Sequence, residues 1–223
     1  MIDAPTSAAD LAARIDHTVL RPEATRHDVE QGAILAVEAG CASLCVQPDH
    51  VSFVHQMCGD RLVVCAVVGF PHGGSTAAVK AIEAASAVAH GAGELDMVVG
   101  LGPIAEGDLA HVAHEVAAVR SAAPDVVLKV IVESALWSPP VLRDVCLAAI
   151  DGGADFVKTS TGYHPAGGAT VEDVVTMRDA VGQRCSVKAS GGLRTLDDCL
   201  TVLRAGADRL GLSATADVLA ELR

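Results

Sequence analysis

The sequence predicts an α/β chain folded as a (β/α)8 barrel, and three observations carry that reading. Eight short apolar runs alternate with helix-like stretches along 223 residues, which fits a compact member of an architecture that spans roughly 200 to 400 residues. Four of those runs are entered through the same turn, a helix end closed by glycine. Aromatic residues make up 2% of the chain against 51% hydrophobic content, so the core must be built from Ala, Val, Leu and Ile, which suits parallel strands covered by helices. An open doubly wound sheet is the competing architecture. It places a glycine fingerprint after its first strand, whereas here the first strand runs into His17-Thr-Val-Leu-Arg-Pro22. A chain of this size buries one large core, so residues 1–223 are read as a single barrel domain.

The first strand is read over Arg14 to Val19. The second closes the first copy of the repeated turn, Glu38-Ala-Gly-Cys-Ala-Ser-Leu-Cys-Val46, and the third covers Leu62 to Val68. A second copy, His90-Gly-Ala-Gly-Glu-Leu-Asp-Met-Val98, supplies the fourth, and Val126 to Val132 the fifth. The remaining copies, Asp151-Gly-Gly-Ala-Asp-Phe-Val-Lys158 and Arg204-Ala-Gly-Ala-Asp-Arg-Leu-Gly-Leu212, supply the sixth and eighth, with Cys185 to Ala189 as the seventh. Helices are read over Thr76 to His90, Asp108 to Ala122, Pro140 to Asp151, Val171 to Val181 and Leu196 to Ala205, with Thr, Ser, Asp or Pro near several starts.

The chemistry is concentrated in the lysines. Only four of the sixteen basic residues are lysines, and Lys129, Lys158 and Lys188 stand inside apolar strand runs. An ammonium is seldom buried without a partner or a perturbed protonation equilibrium. A second cation nearby favours the neutral amine, and a neutral lysine is a nucleophile for carbonyl carbon. Neighbouring sixth and seventh strands bring Lys158 and Lys188 together, so the pair reads as a nucleophile crowded by a sibling cation. Barrel chemistry sits at the C-terminal ends of strands, where Asp16, Cys45, Asp96, Lys129, Glu133, Lys158 and Lys188 are expected. Residues two apart share a strand face, which puts Lys129 with Glu133. Lys129 is therefore read as paired with Asp16 or Glu133. For the anion of a phosphorylated substrate, the glycines of the last loops (Gly191, Gly192 and Gly211) with the Ser213 hydroxyl offer backbone amides, and Thr161-Gly162 adds to them.

These stretches also resemble a known family, the deoxyribose-phosphate aldolases, which are class I (Schiff-base) aldolases. The likeness spans nearly the whole chain. It is carried by Ile15-Asp-His-Thr18, Leu44-Cys-Val-Gln-Pro48, Val67-Val-Gly-Phe-Pro71, Glu94-Leu-Asp-Met-Val98, Leu128-Lys-Val-Ile-Val-Glu133, Asp155-Phe-Val-Lys-Thr-Ser-Thr-Gly162, Val187-Lys-Ala-Ser-Gly-Gly-Leu-Arg-Thr195 and Arg209-Leu-Gly-Leu-Ser213. The resemblance implies that Lys158 forms the imine, that Lys188 perturbs it, and that Asp96 is the carboxylate of a proton relay. It implies reversible cleavage of 2-deoxy-D-ribose 5-phosphate to acetaldehyde and glyceraldehyde 3-phosphate, without a metal or other cofactor because the iminium is the electron sink. Lys129 reads as a relay member behind these groups, Asp16 as an orienting carboxylate, and Cys45 as a wall of the acetaldehyde pocket or a small core thiol. Gln47, Gly100, Tyr163 and Ala214 depart from residues common in that family, and the chain stops at Leu222-Arg223, short of a tyrosine-ended tail found in some members.

Other classes are disfavoured. A net charge of −12 lacks the basic stripe that nucleic-acid binding uses. Met1 to Ala13 lacks the charged leader and apolar core of a signal peptide, and no apolar stretch reaches membrane length. Seven cysteines without a CxxC pair read as reduced thiols in the cytoplasm. Nine histidines without an HxH or HExxH pattern argue against zinc. His17 is read as a hydrogen-bonded neighbour of Asp16. Another Schiff-base barrel enzyme of transaldolase type, or a non-catalytic phospho-sugar sensor, is the competing function. Apolar helix faces such as Ala84 to Ala89 leave a homodimer open.

Overall fold

The computed structural model describes residues 5–222. The first four residues of the stretch read as leader-free, and terminal Arg223, lie outside them. Eight strands close on themselves: β1 Ile15–Val19, β2 Ser43–Val46, β3 Val64–Val68, β4 Glu94–Val98, β5 Val127–Ile131, β6 Phe156–Lys158, β7 Ser186–Ser190 and β8 Arg209–Leu212. They pair in parallel in chain order, and β8 returns to β1. The helices are α1 Ala8–Ala12, α2 Arg26–Ala39, α3 Val51–Cys58, α4 Ala77–Ala89, α5 Leu101–Ala105, α6 Leu109–Ala122, α7 Pro139–Asp151, α8 Val171–Val181, α9 Leu196–Arg204 and α10 Thr215–Ala220. The predicted barrel is thus the observed one, with strand ends displaced by up to two residues.

Sequence chemistry explains the joints. Thr25, Thr76, Asp108, Thr170 and Thr195 each cap a helix by accepting from a backbone amide of its first turn, which satisfies a donor the helix leaves open. The four repeated turns contain Gly40, Gly91, Gly153 and Gly206 at φ of 73, 105, 99 and 117°, where a side chain is strained. Two copies share a clamp. Arg120 of α6 donates to the Gly153 carbonyl and to Asp155, which in turn accepts from the Leu128 amide of β5. Arg178 of α8 repeats this with Gly206, Asp208 and the Val187 amide of β7. The aspartate in each Gly-Ala-Asp sequence therefore ties a helix to the floor of the sheet.

Strand alternation sorts the residues into two environments. Outward-facing Leu44, Val46, Ala66, Leu95, Met97, Leu128, Val130, Val157, Val187 and Leu210 are buried under the helices and make the main core. The inward positions carry the charges and thiols instead. This hydrophobic ring holds the backbone still while the barrel interior is given over to polar groups.

Candidate active site

The three strand lysines point inward and converge on one carboxylate. Asp96 of β4 accepts from Lys129 of β5 at 2.8 Å through Oδ1, and from Lys158 of β6 and Lys188 of β7 at 2.6 and 2.7 Å through Oδ2. Asp16 of β1 bonds Lys188 at 2.5 Å, lies 3.5 Å from Lys129, and receives Arg209 of β8 at 2.6 Å. Register brings these groups together: Asp96 is the direct partner of Lys129, and Lys158 that of Lys188.

Charge governs the site. Burial pushes Asp96 and Asp16 up, but the surrounding cations outweigh it: Lys129, Lys158 and Lys188 hold Asp96 well below the usual carboxylate range, and Lys129, Lys188 and Arg209 do the same for Asp16. Burial pulls Lys188 and Lys129 down, yet the Asp16 and Asp96 carboxylates outweigh it and hold both above the usual lysine value. Lys158 and Lys188 thus stand close together as expected, but they share one carboxylate oxygen, an interaction the sequence reading did not include.

Two expectations are corrected. Asp16, Asp96, Lys129 and Lys188 stand within their strands, not at the C-terminal ends, whereas Lys158 does end β6. Of the two partners expected for Lys129, Asp16 is observed and Glu133 is not, and Glu94 and Asp96 are added. The strand has ended by Glu133, whose backbone is left-handed at φ 52°. That twist turns its carboxylate onto the Thr161 amide and hydroxyl, the latter at 2.7 Å. Sequence reasoning also missed Glu94 and Arg209, which share this interior; their place at strand starts was the available signal. Cys45 is fully buried below the mouth, with its thiol 4.0 Å from Asp96. Cys45, Cys65 and Asp96 offer three ligand atoms within 4.8 Å of one another, but three lysine nitrogens already occupy Asp96, and the cationic Lys129 and Lys188 oppose a metal cation.

Above this network opens a cleft of about 870 Å³. Lys158 lines it, as do Thr161, Gly162, Gly191, Gly192, Gly211 and Ser213. Gly162, Gly191 and Gly192 have φ of 81, 83 and 84°, conformations that turn amides toward an anion. Gly168, missed in the sequence, packs so closely that an added Cβ would lie 2.1 Å from the Gly191 carbonyl oxygen. His17 lines the outer wall, bonded to the Thr215 hydroxyl at 2.9 Å. Of the departures, Tyr163 and Ala214 line the cleft, Gln47 bonds the Leu20 carbonyl, and the Gly100 amide bonds Glu115.

A barrel whose open mouth exposes one lysine of a buried lysine–carboxylate cluster, beside glycine loops fit for an anion, belongs to the enzymes that work on carbonyl carbon through an amine. Residues 11–219 match the model of the DeoC/LacD family aldolases. The deoxyribose-phosphate aldolase of Mycobacterium tuberculosis is 52% identical over 98% of this chain and 98% of its own. That of Mycobacterium avium is 54% identical over 95% and 96%. A solved deoxyribose phosphate aldolase from Aeropyrum pernix, described as tetrameric, superposes with a TM-score of 0.88 at 34% identity, covering 96% of this chain and 92% of that one. The chain belongs to the DeoC/LacD aldolase family, and it is a carbon–carbon lyase.

Proposed function

We propose that this aldolase reversibly cleaves 2-deoxy-D-ribose 5-phosphate to acetaldehyde and D-glyceraldehyde 3-phosphate through an imine on Lys158. One observation carries the choice of lysine: all three are buried, but Lys158 lines the open cleft while Lys129 and Lys188 do not. The reaction needs one amine without its proton. Lys158 attacks the C1 aldehyde of the open sugar, and the carbinolamine loses water as a neighbouring ammonium donates. Lys188 fits that donor role, because Asp96 is held ionised and serves as the acceptor. The protonated imine draws electrons as the C3 hydroxyl loses its proton through a bound water toward Asp96, the C2–C3 bond breaks, and the resulting enamine takes that proton back at C2 by the same route. Water then releases acetaldehyde and restores the amine.

Asp16 and Lys129 orient the cluster in this reading, and Cys45 bounds it from below. The amides and hydroxyls of Thr161, Gly162, Gly191, Gly192, Gly211 and Ser213 hold the phosphate. No metal or cofactor takes part in this scheme. Residues 1–223 act as one catalytic domain whose partners are small molecules. The cysteines among the described residues are free, in keeping with a cytoplasmic setting. A homodimer is the assembly we assign, covering the exposed Val79 and Ile82 of α4, with molar mass by light scattering as its check.

Borohydride trapping with acetaldehyde tests the mechanism. The peptide bearing Lys158 should gain an ethyl group in the native chain and none in Lys158→Ala. A transaldolase-type enzyme would instead differ in its products, and a sensor would show no adduct. An adduct on Lys188 would overturn the assignment.

A further inference from the structure

Two charges on the floor of the barrel are unused by this mechanism. Glu94 and Arg209 are the first residues of β4 and β8, at the end of the barrel away from the cleft. Both face inward. Glu94 lies 2.6 Å from Lys129 and 3.5 Å from Arg209, which bonds Asp16 at 2.6 Å. Through Lys129 and Asp16 they join the same network as Asp96, Lys158 and Lys188.

That linked network holds four cations (Lys129, Lys158, Lys188, Arg209) and three carboxylates (Asp16, Glu94, Asp96). Fully ionised, these seven groups carry one positive charge in excess, and Arg14 on the face of Asp16 adds a further cation beside them. A guanidinium does not lose its proton in a protein, so the excess is relieved by a proton leaving a lysine. Lys129 contacts three carboxylates, Lys188 two and Lys158 one. Lys158, the amine at the mouth where the imine forms, thus has the fewest carboxylate partners of the three. Low dielectric makes such a count matter over more than one contact.

We infer that Glu94 and Arg209 are positioning residues that set the charge balance of the barrel interior, and with it the pH at which the lysine cluster gives up the proton that imine formation requires removed. This rests on the Schiff-base reading above. Other titratable groups facing the network are the Cys45 and Cys65 thiols of β2 and β3, the Cys41 thiol just before β2, which feels the Asp16 charge, and Arg14, which stands just before β1 on the face of Asp16. All four are unchanged in the variants below.

The test is the pH profile of kcat/KM for 2-deoxyribose 5-phosphate cleavage, with the borohydride-trapped ethyl adduct from acetaldehyde measured over the same pH range. Glu94→Gln raises the excess charge and should move the acid limb of both profiles to lower pH by on the order of one unit. Arg209→Met lowers the excess and should move the limb up by a similar amount. The double variant restores the count and should return the limb toward its native position, while Arg209→Lys keeps the charge and should leave it in place. A structural role alone would lower activity without opposite signs. Single variants that move the limb the same way, or not at all, overturn the inference, as does Arg209→Lys behaving like Arg209→Met. If Arg209→Met does not fold, Glu94→Gln decides by its sign. An adduct on Lys158 in the native chain with unshifted variants sinks this inference alone; no adduct there sinks the Schiff-base reading and the inference with it.

Discussion

A single carboxylate oxygen, Oδ2 of Asp96, accepts from both Lys158 and Lys188, at 2.6 and 2.7 Å. Replacing it with an amide that presents NH2 donors to ammoniums would break both bonds while keeping the shape. Asp96→Asn should therefore lower kcat by about 10²- to 10⁴-fold, the range for loss of a proton-transfer group, with little change in KM. Steady-state kinetics on the folded variant checks this, and a near-native kcat would make Asp96 a mere counter-ion. The strand lysines were legible because an ammonium in a Val and Ile run is anomalous on its face. Lys80 was not. It is fully buried against Glu115 at 2.5 Å, but a lysine on a helix is ordinarily exposed, and its partner lies 35 positions away. Nor could the sequence tell that Asp96 would stand between two amines, since that depends on side-chain reach and not on strand order.

At the scale of elements, the loops after β6 and β7 act as one unit. Glu133 accepts from Thr161, the Ala169 amide bonds the Ser190 and Gly191 carbonyls, and Gly168 leaves no room for a side chain against Gly191. Gly168→Ala would force apart backbones that place the anion-facing amides. It should raise KM for the phosphorylated sugar about tenfold or more, the effect of losing one or two charge-assisted hydrogen bonds. Unphosphorylated 2-deoxyribose should be turned over as before. Equal losses with both sugars would point to a general disturbance of the barrel. Element type was readable where a capping residue preceded an apolar period or a glycine closed it, as with Thr76 before α4 and Gly206 before β8. The short helices α1, α5 and α10 escaped because five or six residues show too little periodicity, and α2 and α3 were not named, although Thr25 caps α2 and Gly40 closes it. Glu133 was misassigned because alternation was extended past the end of β5, where its left-handed backbone resets the face.

Across the whole molecule, a hydrophobic ring encloses charged and neutral groups that water would otherwise solvate, and this makes the fold sensitive to acid. Closure of the sheet, β8 onto β1, buries the inward Asp16 and Asp96, while His17, on the outer face of β1, is buried against α2 and α10; strand count foretold the barrel, but which groups would be sealed inside depended on the register. Two stages of acid loss follow. Burial pushes His17 from its ordinary 6.5 down to about 4, so between those values the unfolded chain binds a proton that the folded chain refuses. Stability therefore falls as pH drops from 6.5 toward 4, by about 2 to 3 kcal/mol near pH 4.5. Asp16 and Asp96 act below that window. Their depressed pKa values stabilise the fold above the ordinary carboxylate value of 3.8, and this contribution is lost as pH falls beneath it. Thermal unfolding followed by circular dichroism at pH 7, 5.5, 4.5 and 3 separates the stages. His17→Gln cannot take up a proton, so its Tm should decline less between pH 7 and 4.5 than the native chain's, even though losing the bond to Thr215 lowers it at pH 7. Parallel declines in the two proteins would show that the buried imidazole does not drive the first stage.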